Sequence, residues 1–211
     1  MKGILSLLKM KTRSGKTGDD NTDSVLFSTA FAGQGVDDSM LVPWEARAVE
    51  VGAKRLPTSR GGKLLQGLWA KDKYMAHRDK DAVERMERFF EFAAVPSNRD
   101  VIRQDEYGNF MVVLLTGTIA VDRVQPWGEQ LRLAETRPGD ILGEMSLLDS
   151  GIRFSACTTL TDCEIAVLSA EAMDDMMSKD PQLAASLIAL LARKLSLRLR
   201  VVSARLSDNQ K

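Results

Sequence analysis

The 211-residue chain is poor in the residues that build metal sites and covalent frameworks, with two cysteines, Cys157 and Cys163, and one histidine, His77. Two cysteines make no disulfide framework, and their spacing lacks the second ligand pair of a zinc site. The expectation is no metal, reduced thiols and a cytoplasmic location. Net charge is missing too, since 29 Lys and Arg balance 29 Asp and Glu, so the average charge selects no partner. No run approaches the roughly 20 apolar residues that span a bilayer. Met1 to Met10, with Ile4, Leu5, Leu7 and Leu8 between lysines, is too short for a secretory signal and has no small-residue cleavage site. Membrane association is therefore not expected. A nucleophile–base pair and a paired-carboxylate signature are absent as well: Asp37-Asp38 and Asp174-Asp175 are adjacent residues whose side chains diverge. The chain does not read as an enzyme.

What is present is a 44% hydrophobic fraction, enough for a packed core, with 27% charged residues. Residues 11 to 24 are polar without periodicity and read as a linker. Gly15-Lys16-Thr17 has the form of a P-loop tail, but Met10 stands where that motif needs glycine. Residues 25 to 60 hold scattered apolar groups that suit an extended arm packed against the main domain; residues 1–61 are expected to be a flexible N-terminal extension and residues 62–211 the folded domain. Helical spacing begins near Gly62 with Leu64, Leu65, Leu68 and Trp69. A second helix is predicted from about Asp79 to Pro96, with Val83, Met86, Phe89, Phe90 and Ala93-Ala94 on one stripe.

Beyond Pro96 the period changes from 3.6 to 2. Strands are predicted at 100–103, 110–115, 118–124, 130–135, 141–142, 155–159 and 164–168, punctuated by Gly108, Gly117, Pro126, Gly128, Pro138-Gly139 and Gly151. Short strands at this spacing suggest an α+β fold: an antiparallel jelly-roll barrel flanked by N-terminal helices and a long C-terminal helix. Ser169 is an N-cap candidate. Asp180-Pro181 opens a helix that runs to about Ser207, roughly 26 residues and about 40 Å. Its stripe Leu183, Leu187, Leu191, Leu195, Leu199, Val202, Leu206 predicts a homodimer through its far end, the alternative being a helix folded back over its own barrel. Basic clusters occupy residues 1 to 17 and 193 to 211 and read as solvated faces or tails.

The most specific pattern is Arg137-Pro138-Gly139-Asp140-Ile141-Leu142-Gly143-Glu144-Met145-Ser146-Leu147-Leu148, with Arg153 nine residues after Glu144, preceded by Gly108-Asn109-Phe110-Met111-Val112-Val113-Leu114 and Gly117. Over residues 80 to 207 this order resembles the cyclic-nucleotide-binding domain family, which includes bacterial catabolite-activator-like regulators and the regulatory subunits of cyclic-AMP-dependent kinase. The residue types suit a buried cyclic phosphate. An anion needs pairing and hydrogen bonds, and Arg153 offers a planar fork for two phosphate oxygens. Gly143 permits close backbone approach. Glu144 can accept from a hydroxyl, which the resemblance assigns to the ribose 2′-OH. The expected ligand-binding residues are Gly143, Glu144, Met145, Ser146, Arg153, Phe154, Ser155, Arg198 and Arg200. The competing reading is a plain Glu144–Arg153 ion pair.

The chain departs from the family pattern at three places. Phe154 follows the arginine where the family has a small or hydroxyl residue, so either Ser155 substitutes or Phe154 obstructs the pocket. Gln104-Asp105-Glu106 replaces a glycine-containing turn. The last helix carries Arg198 and Arg200 in place of a purine-capping aromatic, which suits a larger, doubly charged ligand. Cyclic di-GMP therefore stands beside cyclic AMP and cyclic GMP, with Arg55 and Arg60 as further contacts. The family's bacterial regulators append a winged helix-turn-helix, for which no length remains before Lys211, so DNA binding is not expected. The resemblance implies a second-messenger sensor that signals through helix movement to an unidentified protein partner, with a ligand-free scaffold as the alternative.

Overall fold

The structure, a computed structural model, describes residues 26–76 and 80–208. The basic segment 1–17, the linker 11–24, His77 and Lys211 lie outside the described residues.

Two antiparallel sheets form the centre. Their strands are β1 (Lys54–Arg55), β2 (Glu91–Val95), β3 (Asp100–Ile102), β4 (Phe110–Thr116), β5 (Ile119–Val124), β6 (Gln130–Glu135), β7 (Ile141–Leu142), β8 (Ala156–Thr159) and β9 (Cys163–Ser169). One sheet runs β1-β2-β9-β4-β7 and the other β3-β8-β5-β6, the two-sheet arrangement of a jelly roll, not a closed barrel. All strands expected from residue 100 onward are present to within a residue or so.

Successive side chains of a strand point to opposite faces, and β4 is apolar on both because both are covered. Phe110, Val112 and Leu114 enter the core between the sheets with Ile102, Ile119, Ile165 and Val167. Met111, Val113 and Leu115 enter a second core under the helices α3 (Thr58–Trp69), α4 (Lys80–Glu87), α6 (Ala170–Lys179) and α7 (Pro181–Asp208). The predicted second helix is corrected here. It stops at Glu87, and Ala93-Ala94 lie in β2, where Phe92 faces the helices while Ala93 and Val95 face the other sheet.

The C-terminal helices start where their caps dictate. The Ala172 amide donates to Ser169 Oγ at 3.2 Å, and the Leu183 amide to Asp180 Oδ1 at 3.2 Å. Leu183, Leu187, Leu190 and Leu191 of α7 are buried on the domain itself, whereas Leu197, Leu199, Val201, Val202 and Leu206 are exposed. The first half of the helix is thus folded back over its own domain, and the second half stands exposed.

The described part of the expected extension is built of regular elements. It holds α1 (Phe27–Gly33), a 3₁₀ turn (Asp38–Met40), α2 (Trp44–Glu50) and β1. The expected boundary at residue 61 falls inside α3. Asp174 of α6 accepts from the Phe27 amide at 2.7 Å and the Ser28 amide at 2.9 Å, an N-terminal cap supplied from 147 residues away in the chain. Phe31 is fully buried, and Trp44 packs edge-on against Phe110 at 5.6 Å. These long-range contacts leave no local periodicity to read.

Candidate functional site

The turn after β7 brings Gly143 to φ 73, a left-handed backbone that glycine adopts without strain. Helix α5 (Glu144–Asp149) follows directly. The position needs a glycine for space as well. A Cβ on Gly143 would lie 2.6 Å from Arg153 Nη1, and one on Gly108 would lie 2.7 Å from Arg153 Nη2. The two missing side chains make the slot that a guanidinium fills.

Arg153 is only 3% exposed. Nη1 donates to the Gly143 carbonyl at 2.7 Å, Nη2 to the Phe110 carbonyl at 2.6 Å, and the guanidinium lies 4.7 Å from the Phe110 ring centroid. Its backbone is pinned as well, the amide donating to the Glu106 carbonyl at 2.8 Å and the carbonyl accepting from the Asp105 amide at 2.9 Å. Burial pulls the guanidinium down to about 10, which leaves it cationic at neutral pH. The acceptors it touches are uncharged carbonyls, so the site holds a buried positive charge that no direct ion pair among the described residues neutralises.

The competing ion-pair reading does not hold, because Glu144 pairs with Arg198 of α7, not with Arg153. Arg198 Nη2 also donates to the Ile141 carbonyl at 2.8 Å. Glu144 is 4% exposed, and burial pushes its carboxyl above the ordinary range against the opposing pull of Arg198 and Arg153. Arg198 thus spans from the last helix to the strand and helix start that frame the pocket.

Of the nine expected site residues, eight line one cavity of about 80 Å³: Gly143, Glu144, Met145, Ser146, Arg153, Phe154, Ser155 and Arg198. Arg200 is exposed and does not line it. Arg60 pairs with Glu164 at 2.7 Å, and Arg55 lines a separate cavity beside Trp44 and Phe92. The predicted contacts from these two arginines are therefore corrected, because the strand order places β1 at the far edge of the five-stranded sheet from β7.

Several contributors escaped sequence reasoning. Ile102, Leu142 and Cys157 complete the lining, and burial pushes the Cys157 thiol up to about 12, which keeps it neutral. Arg123 of β5 stacks on Phe154 with its Cζ 4.1 Å from the ring centroid. Arg47 of α2, 2% exposed, pairs with Glu50 and Glu106, so the arm grips the 104–108 turn behind Arg153. The Gln104-Asp105-Glu106 part of that turn manages without glycine: Asp105 takes φ 65, and Gln104 Oε1 accepts from the Val124 amide at 2.7 Å. Among the described residues, no group of three or more His, Cys, Asp or Glu side chains is placed to hold a metal ion, and no helix is long and apolar enough to cross a membrane.

The family model described as cyclic nucleotide-binding domain matches residues 93–180. The chain is 31% identical over 107 residues to the cyclic AMP receptor protein of Thermus thermophilus, a match that covers 51% of this chain and 50% of that protein. It is 28% identical over 100 residues to a CRP-like cAMP-activated global transcriptional regulator of Mycobacterium tuberculosis, covering 47% and 45%. The chain thus spans about half the length of the curated relatives it matches. Among solved structures, a cyclic nucleotide-binding domain from Methylobacillus flagellatus superimposes with a TM-score of 0.67 at 22% identity, over 72% of this chain and 86% of that one. That likeness concerns the fold.

Proposed function

We propose that the chain, whose residues 93–180 match the cyclic nucleotide-binding domain model, works as a non-enzymatic sensor of a cyclic nucleotide, cyclic AMP or cyclic GMP before cyclic di-GMP. The observation that carries this reading is the Arg153 guanidinium, buried with no carboxylate partner of its own among the described residues and cradled by two glycines. A cyclic phosphate entering beside it supplies the missing negative charge. Glu144, buried in the lining of the same slot, accepts a hydrogen bond from a hydroxyl of the attached ribose, and Ser146 and Ser155 line the slot as well.

Signalling follows from Arg198. Small-molecule pockets measure roughly 300–1,000 Å³, so a cavity of about 80 Å³ has to open for a nucleotide to enter. The group that spans the opening belongs to α7, and a ligand that draws on Glu144 changes what Arg198 can hold. Occupancy is thereby read out as helix position, provided the ligand favours one position over the other. The exposed second half of α7 is the surface that a second copy of this chain, or a protein partner, would meet. We place the protein in the cytoplasm.

The alternative, a ligand-free scaffold, is favoured by the same small cavity and by the internal pairing of Glu144. Thermal melts separate the two. A ligand that binds only the folded state stabilises it by RT ln(1 + [L]/Kd), so the sensor reading expects a melting shift of several degrees with at least one of the three nucleotides at 1 mM (roughly 100 Kd for a 10 µM site). No shift with any of them supports the scaffold. The Arg198→Ala protein should still bind, because Arg153 is intact. It should lose the ligand-induced distance change between spin labels on α7 and on the sandwich.

A further inference from the structure

The pocket buries charged and polar groups beside Ile102, Leu142 and Cys157, and apolar side chains also reach solvent at its border. Met145 and Phe154, which line it, are 45% and 50% exposed, an apolar border beside a charged slot. Phe154 is the informative member. It follows Arg153 directly, and the two side chains part company: the guanidinium goes inward to full burial while the ring stays at the mouth. Leaving half a phenylalanine in water is costly.

The ring is also fixed in place. Arg123 reaches across from β5, lays its guanidinium against the ring with Cζ 4.1 Å from the centroid, and donates from Nη1 to the Phe154 carbonyl. The pairing of β5 with β8 puts Asp122 opposite Ala156, so the neighbouring Arg123 stands level with this loop. A cation stacked on one side of an aromatic ring holds it without covering it. What remains is a pre-oriented planar apolar surface beside a buried phosphate-type cation, with the soft Met145 thioether lining the same cavity. Interior and border follow the order in which a nucleotide presents its groups: phosphate, then sugar, then a flat base.

We propose that Phe154, pinned by Arg123, is the stacking platform for the ligand's base and sets a preference for purine over pyrimidine. This rests on the sensor reading given above. Stacking strength grows with the π-face, and alanine substitution of a base-stacking aromatic typically lowers affinity about 10-fold to 100-fold.

The test is calorimetric titration of the whole chain with 3′,5′-cyclic AMP, cyclic GMP, cyclic CMP and cyclic UMP. Wild type should bind the purine nucleotides measurably more tightly than the pyrimidine ones, as their larger π-face stacks more strongly. Phe154→Ala should remove that difference by weakening purine binding, Phe154→Trp should keep it, and Phe154→Leu, with apolar bulk but no ring, should fail to restore it. Arg123→Ala should reduce the preference part-way. Unchanged or tighter purine binding by Phe154→Ala would mean that the ring is a plug and would overturn the platform while leaving the sensor reading intact. Equal binding by wild type and Arg153→Ala removes the phosphate reading instead, and no binding by wild type to any of the four removes both.

Discussion

At the scale of single residues, the site is a problem in placing a charge where water does not reach. Arg153 is accommodated because Gly108 and Gly143 leave its guanidinium room, and because two carbonyls accept its protons. A methyl group at residue 108 would sit within 2.7 Å of Nη2 and 2.8 Å of Nε, so Gly108→Ala must displace the side chain or the turn. Chemical denaturation should record a loss of about 1–3 kcal/mol, the usual cost of overpacking a filled interior, and nucleotide affinity should fall with it. Gly128 has positive φ but open space around its Cβ position, so Gly128→Ala should leave affinity unchanged even if it costs stability. Gly143, Glu144 and Arg153 were legible in the sequence because they fall close together in the pattern that carries the family resemblance, whereas the room Gly108 leaves for Arg153 was not. Arg123 and Arg47 were not, since each acts across a distance in the chain that leaves no local pattern.

At the scale of elements, α2 and the 104–108 turn behave as one support. Arg47 joins them through Glu50 and Glu106, and Arg103 of the turn's approach pairs with Glu50 and Glu106 as well. Arg47 is buried while both partners are partly exposed, so removing it strands two carboxylates that water can partly rescue. Arg47→Ala is expected to cost about 2 kcal/mol, a melting temperature lower by about 4–8 °C for a protein of this size. Arg47→Lys should recover only part of that, because one ammonium cannot reproduce the fork. Melting curves of the three proteins decide it, and an unaltered Arg47→Ala would show that the arm is not clamped through this residue. Elements covered on one face, or capped locally, were readable: Ser169 and Asp180 fixed the starts of α6 and α7. The stretch after Glu87 misled because Phe89, Phe90, Ala93 and Ala94 fall at helical spacing, whereas β2 is apolar on both faces and so shows no alternation. Helix α1 was illegible for another reason, its cap being Asp174, on α6.

At the scale of the whole molecule, two apolar surfaces stand open: Leu197, Leu199, Val201, Val202 and Leu206 on α7, and Val124, Trp127, Leu131 and Leu133 on the β5–β6 hairpin. Exposed patches of this kind mark association surfaces. The expected outcome in light scattering is a dimer for the native chain and a monomer for Leu199→Glu/Val202→Glu. A native monomer at tens of micromolar would assign α7's exposed half to a different partner. The jelly-roll order and the long last helix could be read from periodicity and turn residues, because sheet and helix periods are properties of short windows. The closure of the pocket could not, because it depends on Arg198 meeting Glu144 from 54 residues away. The central claim is that Arg153 is the seat of a cyclic phosphate. Calorimetric titration of wild type and Arg153→Ala with cyclic AMP and cyclic GMP tests it most directly. Saturable heat with at least one nucleotide for wild type, lost in the variant while it remains folded, is the predicted result; equal binding by both proteins, or none by wild type at millimolar nucleotide, would contradict it.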